Sequence, residues 1–247
     1  KIDRDNFMVN PSDCSAKQVR ASLTSSEGTR DDLASHFQAR GCAALPFKPR
    51  IRMQNMDKGR RSTIRSWNPR MKFVVRQQGV GEAGISGARV TLPSSVILDQ
   101  SNLDTTCTRA QMAAEDCPAG SVVGYARAFS PLLNRPVQGP VYLAANGGVR
   151  PLPDVVAVLD GEIRVALTSW IDTVRRGGKG RLRSTFNVVP DAPVSRFVLT
   201  MRGGKNRGLL LNSTDLCRTA ERGVAVFTGQ NGRSHRLRPR IATSYKA

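Results

Sequence analysis

Apolar residues along this chain recur at every second position in short runs, and Gly, Pro, Asn or Asp separates the runs. A period of two puts alternate side chains on opposite faces of an extended strand. The pattern predicts strands at 18–25, 36–40, 47–54, 71–77, 88–92, 122–129, 140–144, 181–189, 195–202 and 209–212. "VVAVLDGEIRVAL" reads as two further strands meeting at Asp160-Gly161, and "GVAVFTGQNGRSHRLRPRI" repeats the device at Asn231-Gly232. Both dipeptides suit the two-residue type I′ turn of a hairpin. Helix is scarce: only 108–116 has the composition, with Thr108 as its N-cap. Many short strands with turn residues between them predict an all-β fold of two β-sandwich modules, immunoglobulin-like or related. We place them at residues 1–130, with an N-terminal hairpin segment and the one short helix between Cys107 and Cys117, and at 131–247.

One stretch raises a different prospect. "RQQGVGEAGISGARVTLP" holds Gly79, Gly81 and Gly84 at dinucleotide-binding spacing, after a strand-like run. That fingerprint requires a helix after the third glycine, whose amides hold the pyrophosphate. Here β-branched residues, a fourth glycine and Pro93 follow, so a glycine-rich connection between two strands is the expectation. An internal echo is also present: "VNPSDCSAKQVRASLTSSEG" from Val9 resembles "LNSTDLCRTAERGVAVFTGQNG" from Leu211. It predicts a closing hairpin at each end of the chain.

Charge changes the picture. Against 38 Lys and Arg stand 19 Asp and Glu in 247 residues, a net charge of +19. Such a balance favours polyanionic partners: nucleic acid, an anionic cell-surface polymer or an acidic neighbour. Three Arg/Lys/Gly loops are the expected contacts, because guanidinium forks bind oxyanions and glycine lets amides approach. They comprise Arg175, Arg176, Lys179 and Arg181; Arg202, Lys205 and Arg207; and Arg233, Arg236 and Arg238. If all three share one end of the fold, they form an anion-binding rim. Aromatic residues make up 5% and are not interleaved with these loops, which leaves base stacking unsupported.

Five cysteines bear on the compartment. Cys107 and Cys117 flank a short helix-prone segment and Cys14 and Cys42 bracket a hairpin, so two local disulfides are expected. Cys217 is then the odd one, unpaired or joined to another chain. An oxidising, extracellular or cell-surface setting follows. No apolar run approaches the length of a membrane span, and "KIDRDNFMVN" has no hydrophobic signal core. Candidate chemistry is thin. There is no G-x-S-x-G elbow, and neither His36 nor His235 has a catalytic context. Asp154, Asp160 and Glu162 cluster in sequence without a sign that they face one cleft. No catalytic residue, cofactor or metal ligand is expected.

From Cys107 onward, "CTRAQMAAEDCPAGSVVGYARAFSPLLNRPVQGPVYLA", "LPDVVAVLDGEIRVAL", "STFNVVPDAPVSRFVLTMRGG" and "GLLLNSTDLC" resemble modules of large secreted or surface multi-module β-proteins of actinobacteria. The resemblance implies an all-β fold, disulfides, an extracellular address and no known catalytic residues. The expected function is therefore a non-enzymatic structural or adhesive surface protein, self-associating by strand addition, with polyanion contact through basic loops. A nucleic-acid-binding protein is the alternative, and a secreted hydrolase ranks third.

Overall fold

Glycine and proline punctuate the chain into 16 short strands and one helix in the computed structural model, which describes residues 9–59, 62–218 and 222–243. Positions 1–8 lie outside the described residues. In chain order the strands begin with β1 (Lys17–Thr24), β2 (Arg30–Phe37), β3 (Arg50–Asn55), β4 (Met71–Arg76), β5 (Ile85–Thr91) and β6 (Val96–Leu98). After helix α1 (Arg109–Ala113) come β7 (Val122–Phe129), β8 (Val137–Ala144), β9 (Asp154–Leu159), β10 (Val165–Arg176) and β11 (Lys179–Phe186). The chain closes with β12 (Arg196–Met201), β13 (Leu210–Asn212), β14 (Val224–Gly229), β15 (Ser234–Leu237) and β16 (Ile241–Ala242).

Twelve strands form one sheet in the order β15-β14-β5-β11-β10-β9-β8-β7-β12-β4-β3-β16. β15 and β16 are its two edges, yet only residues 238–240 separate them in the chain. The step from Leu237 to Ile241 reaches at most about 14 Å, so the sheet must roll until its edges nearly meet. Phe47, Ala225 and Phe227 pack there with Ile51, Val75 and Val90. Residue 130, the expected module boundary, lies between β7 and β8, which pair antiparallel from Val122↔Tyr142 to Ala128↔Val137. β5, from the first half, sits between β14 and β11 of the second. The all-β expectation holds, and one rolled sheet crosses the whole described chain.

Alternation explains the roll. Ile51, Met53, Phe73, Val75, Phe197, Leu199 and Met201 point inward from β3, β4 and β12, while Arg52, Lys72 and Thr200, with Val74 and Val198, point out. β6 and β13 pair as a separate two-stranded sheet that brings Leu209 and Leu210 to the same core.

Several local expectations need correction. Neither dipeptide makes a two-residue type I′ turn. Asp160 exchanges backbone bonds with Gln138, so β9 is held to β8 past Leu159 and the turn to β10 takes residues 160–164. Between β14 and β15 only Gly232 has positive φ, 77°, and the Asn231 side chain instead donates to the carbonyls of Cys42 and Leu45. β2 starts at Arg30 rather than His36, because pairing with β1 resumes directly after the turn at Gly28 whatever the polarity of Asp31 and Asp32.

Other expectations hold. Gly79 and Gly81 have positive φ in a connection from β4 straight into β5, with no helix to hold a pyrophosphate. Thr108 caps α1 through a reciprocal capping box with Gln111, although the helix stops at Ala113. Cys14–Cys42 and Cys107–Cys117 are disulfides, with Cα separations of 5.7 and 5.2 Å. Cys217 stands outside both. Among the described residues no helix is long and apolar enough to cross a membrane.

Candidate functional site: a basic sheet face, a projecting hairpin and an apolar cavity

The expected rim does not assemble as one unit. Strand register puts Arg175, Arg176, Lys179 and Arg181 at the β10–β11 tip, at the end of the roll where β5 finishes and β14 begins. Arg181 donates to the carbonyl of Arg222, and Arg222 to that of Arg238, so Arg181 and Arg238 share this end. Arg202, Lys205 and Arg207 follow β12 at the same end, several strands away, with Arg202 bound to the Val122 carbonyl. Arg233 lies at the opposite end, donating to the Ala43 carbonyl, because the β14–β15 connection points the other way. Arg236 sits mid-strand opposite Val226.

A denser basic surface comes from the strands. Cross-strand pairing on the outside of β3, β4, β12 and β7 lines up Arg50, Arg76, Arg196 and Phe129 in one row. Arg52, Val74, Val198 and Arg127 form the next row, and Gln54, Lys72, Thr200 and Tyr125 the third. The four strands contain no Asp or Glu. Arg196 lies over the Phe129 ring at 3.9 Å, a cation–π contact. Like charges directly opposite across strands oppose folding, so three adjacent arginines are a local liability that a bound anion would relieve. A search for basic runs misses this face, because no two of its cations are adjacent in sequence and they are spread over four strands. Its sequence signal is R-x-R in "PRIRMQN" beside "RMKFVVRQ" and "SRFVLTM", none carrying an acid.

The hairpin β1–β2 has no ladder with the main sheet, and nearly every residue in it is exposed. Register gathers Val19, Ala21, Leu23, Leu33 and Phe37 on one side, with Val19 57% and Leu23 56% exposed. Its base is tied down. Asp191 accepts from the backbone and hydroxyl of Ser12 and from the Asp13 amide, and the Ser12 hydroxyl also accepts from Gly84. Lys17 bonds the Asp13 carboxylate, and with Ser15 holds its pKa down to about 2.

Inside the roll is a cavity of about 420 Å³. Its walls come from the inner faces of β3, β4, β5, β7 to β12 and β14. At one end Leu92, Ile171, Leu182, Met201, Leu209 and Leu210 form a buried floor. At the other, Leu132, Ile163, Val189, Pro190 and Ala192 line a mouth, and Ile163 is 49% exposed. The floor is braced by Asp99: burial works to raise its pKa, but bonds from Ser101 and Asn68 outweigh this and hold it low.

The candidate catalytic groups are dispersed. His36 lies on the exposed hairpin and His235 on β15. Asp154 is paired with Arg150, Asp160 with Arg164, and Glu162 accepts from the backbone of Asn134 and Arg135. Among the described residues no three His, Cys, Asp or Glu side chains group as metal ligands would. The chain matches no protein-family model, no curated protein and no solved structure. Two disulfides are compatible with an oxidising, extracellular compartment.

Proposed function

We propose that this is a non-enzymatic, extracellular surface protein that attaches to anionic polymers through the outer face of β3, β4, β12 and β7. The observation that carries the reading is the acid-free face, with Arg50, Arg76 and Arg196 abreast on it. Cations spread over the outside of a sheet read no base sequence; they bind by releasing counterions from a polyanion. The test is Arg50→Gln/Arg76→Gln/Arg196→Gln on heparin and on duplex DNA. Removing three contacts should lower the slope of log affinity against log salt by roughly 2.7. The melting temperature should not fall, since a repulsive row is relieved. An unchanged slope would sink the reading, and affinity that depends on DNA sequence would favour the nucleic-acid alternative.

A second reading, self-association, is favoured by the projecting hairpin. Within 17–37 the cations Lys17, Arg20 and Arg30 equal the anions Glu27, Asp31 and Asp32, so the net charge of +19 lies elsewhere. The hairpin is the element that a second copy can approach without repulsion, and it presents the apolar side that a two-stranded unit needs covered. Light scattering across a concentration series should give a mass above the monomer, rising with salt as repulsion between bodies is screened. Val19→Thr/Leu23→Thr/Leu33→Thr should return it to the monomer. A wild-type chain that stays monomeric at every salt concentration removes this reading.

A further inference from the structure

We infer that the cavity is a binding site for a single-chain anionic amphiphile, held tail-inward with its head group at the mouth. The walls set the chemistry of the tail. Among the described residues, Gln77, Ser130 and Ser184 are the side chains with nitrogen or oxygen that line it. Each is already engaged: the Gln77 amide donates to the Ala83 carbonyl, Ser130 accepts from the Leu132 amide, and Ser184 pairs with Ser169. A ligand with polar groups along its length would leave them unpaired inside, which is unfavourable. Hydrocarbon meets no such penalty, and 420 Å³ lies within the range of small-molecule sites.

Shape narrows the class. β4 and β12 each run the length of the cavity with six residues, from Arg76 and Arg196 at the mouth to Met71 and Met201 at the floor. At about 3.3 Å per residue the distance is roughly 17 Å, suited to an extended alkyl chain. One end is shut by β6 and β13, so the chain enters from the other. There, Arg50 begins β3, Arg76 ends β4 and Arg196 begins β12, placing three cations at the rim. A carboxylate or phosphate head would lie in their field while the tail is buried. The head group thus shares Arg50, Arg76 and Arg196 with the polymer-binding reading, while the tail site is separate, since its lining residues face inward.

The experiment uses dansyl-undecanoic acid as the probe, with palmitate and lysophosphatidylglycerol as separate competitors. The wild-type chain should give saturable, blue-shifted emission with one probe per chain. Displacement by palmitate identifies a carboxylate head, and by the lysolipid a phosphate head. Displacement by neither overturns the inference, as does unsaturable binding. Leu167→Trp, which fills the lumen from β10, should weaken the probe at least tenfold while heparin retention stays unchanged, so this site and the polymer-binding face fail separately.

Because a filled lumen can disturb folding, a second measurement uses the wild-type chain alone. Stearate with a nitroxide at its tail end should broaden the methyl signals of Leu209 and Leu210. A nitroxide beside the carboxylate should instead broaden those of Ile163 and Leu132. Broadening confined to Val19, Leu23 and Leu33 would place the amphiphile on the hairpin and overturn the inference.

Discussion

Gly139→Ala should strongly destabilise the chain. Gly139 sits in the middle of β8, between β7 and β9 and opposite Ala126. A Cβ built on it would stand 1.9 Å from the carbonyl oxygen of Val158 and 3.1 Å from its carbonyl carbon. That obstacle is backbone in a neighbouring buried strand, so no side-chain rotation relieves it. The Gln138–Asp160 bridge pins the same stretch from the next position. Either β8 or β9 must shift, at the cost of ladder bonds and of packing around Val141 and Leu159. An expected loss of about 3–5 kcal/mol would consume much of a domain's net stability. Gly180→Ala on β11 is the control: its Cβ meets only the Thr173 methyl at 3.4 Å, and φ is ordinary. It should be neutral or slightly stabilising. Urea denaturation followed by circular dichroism measures both, and a Gly139→Ala midpoint near wild type would show that β8 and β9 are looser than the structure has them.

The two disulfides should differ in an order opposite to their loop lengths. Chain entropy alone predicts about 2.7 kcal/mol for the Cys107–Cys117 bridge and about 3.6 kcal/mol for Cys14–Cys42, whose loop is longer. Yet Cys107 is fully buried and bridged to Ala144 at the end of β8, so its loop cannot detach without disturbing the main sheet. Cys107→Ser/Cys117→Ser should therefore lose close to the full amount. The Cys14–Cys42 loop encloses the hairpin, which has no ladder with the sheet. In Cys14→Ser/Cys42→Ser that hairpin can open by itself while the roll stays folded. Global stability should drop by less than about 1 kcal/mol, and amide exchange at 18–36 should accelerate to nearly unprotected rates. Equal losses from the two variants would mean that the hairpin is an integral part of the folded body.

Much of the fold was legible in the sequence. Strand 122–129 follows from alternation, because it buries one face and exposes the other over much of its eight residues, and 71–76 follows from its short run of β-branched and aromatic residues. Both disulfides follow from short loops whose ends a hairpin or a helical turn brings together. The absence of a nucleotide helix after Gly84 followed from Pro93 and the β-branched residues before it. The hairpin's early start was hidden, since Arg30, Asp31 and Asp32 are polar on both faces and only pairing with β1 makes them strand.

What the sequence determined by itself is the type and approximate place of each element, the sign of the charge and the cysteine pairs, because all of these are set by neighbours close along the chain. Tertiary structure alone decided what lies beside what. Arg50, Arg76 and Arg196 stand up to 146 positions apart, and three loops that look alike in sequence fall at two ends of the roll. The cavity exists only because a sheet of twelve strands curls until residues 238–240 can join its edges. Strand pairing is a long-range choice, fixed by the burial of whole faces rather than by any local run, and no reading of single runs contains it.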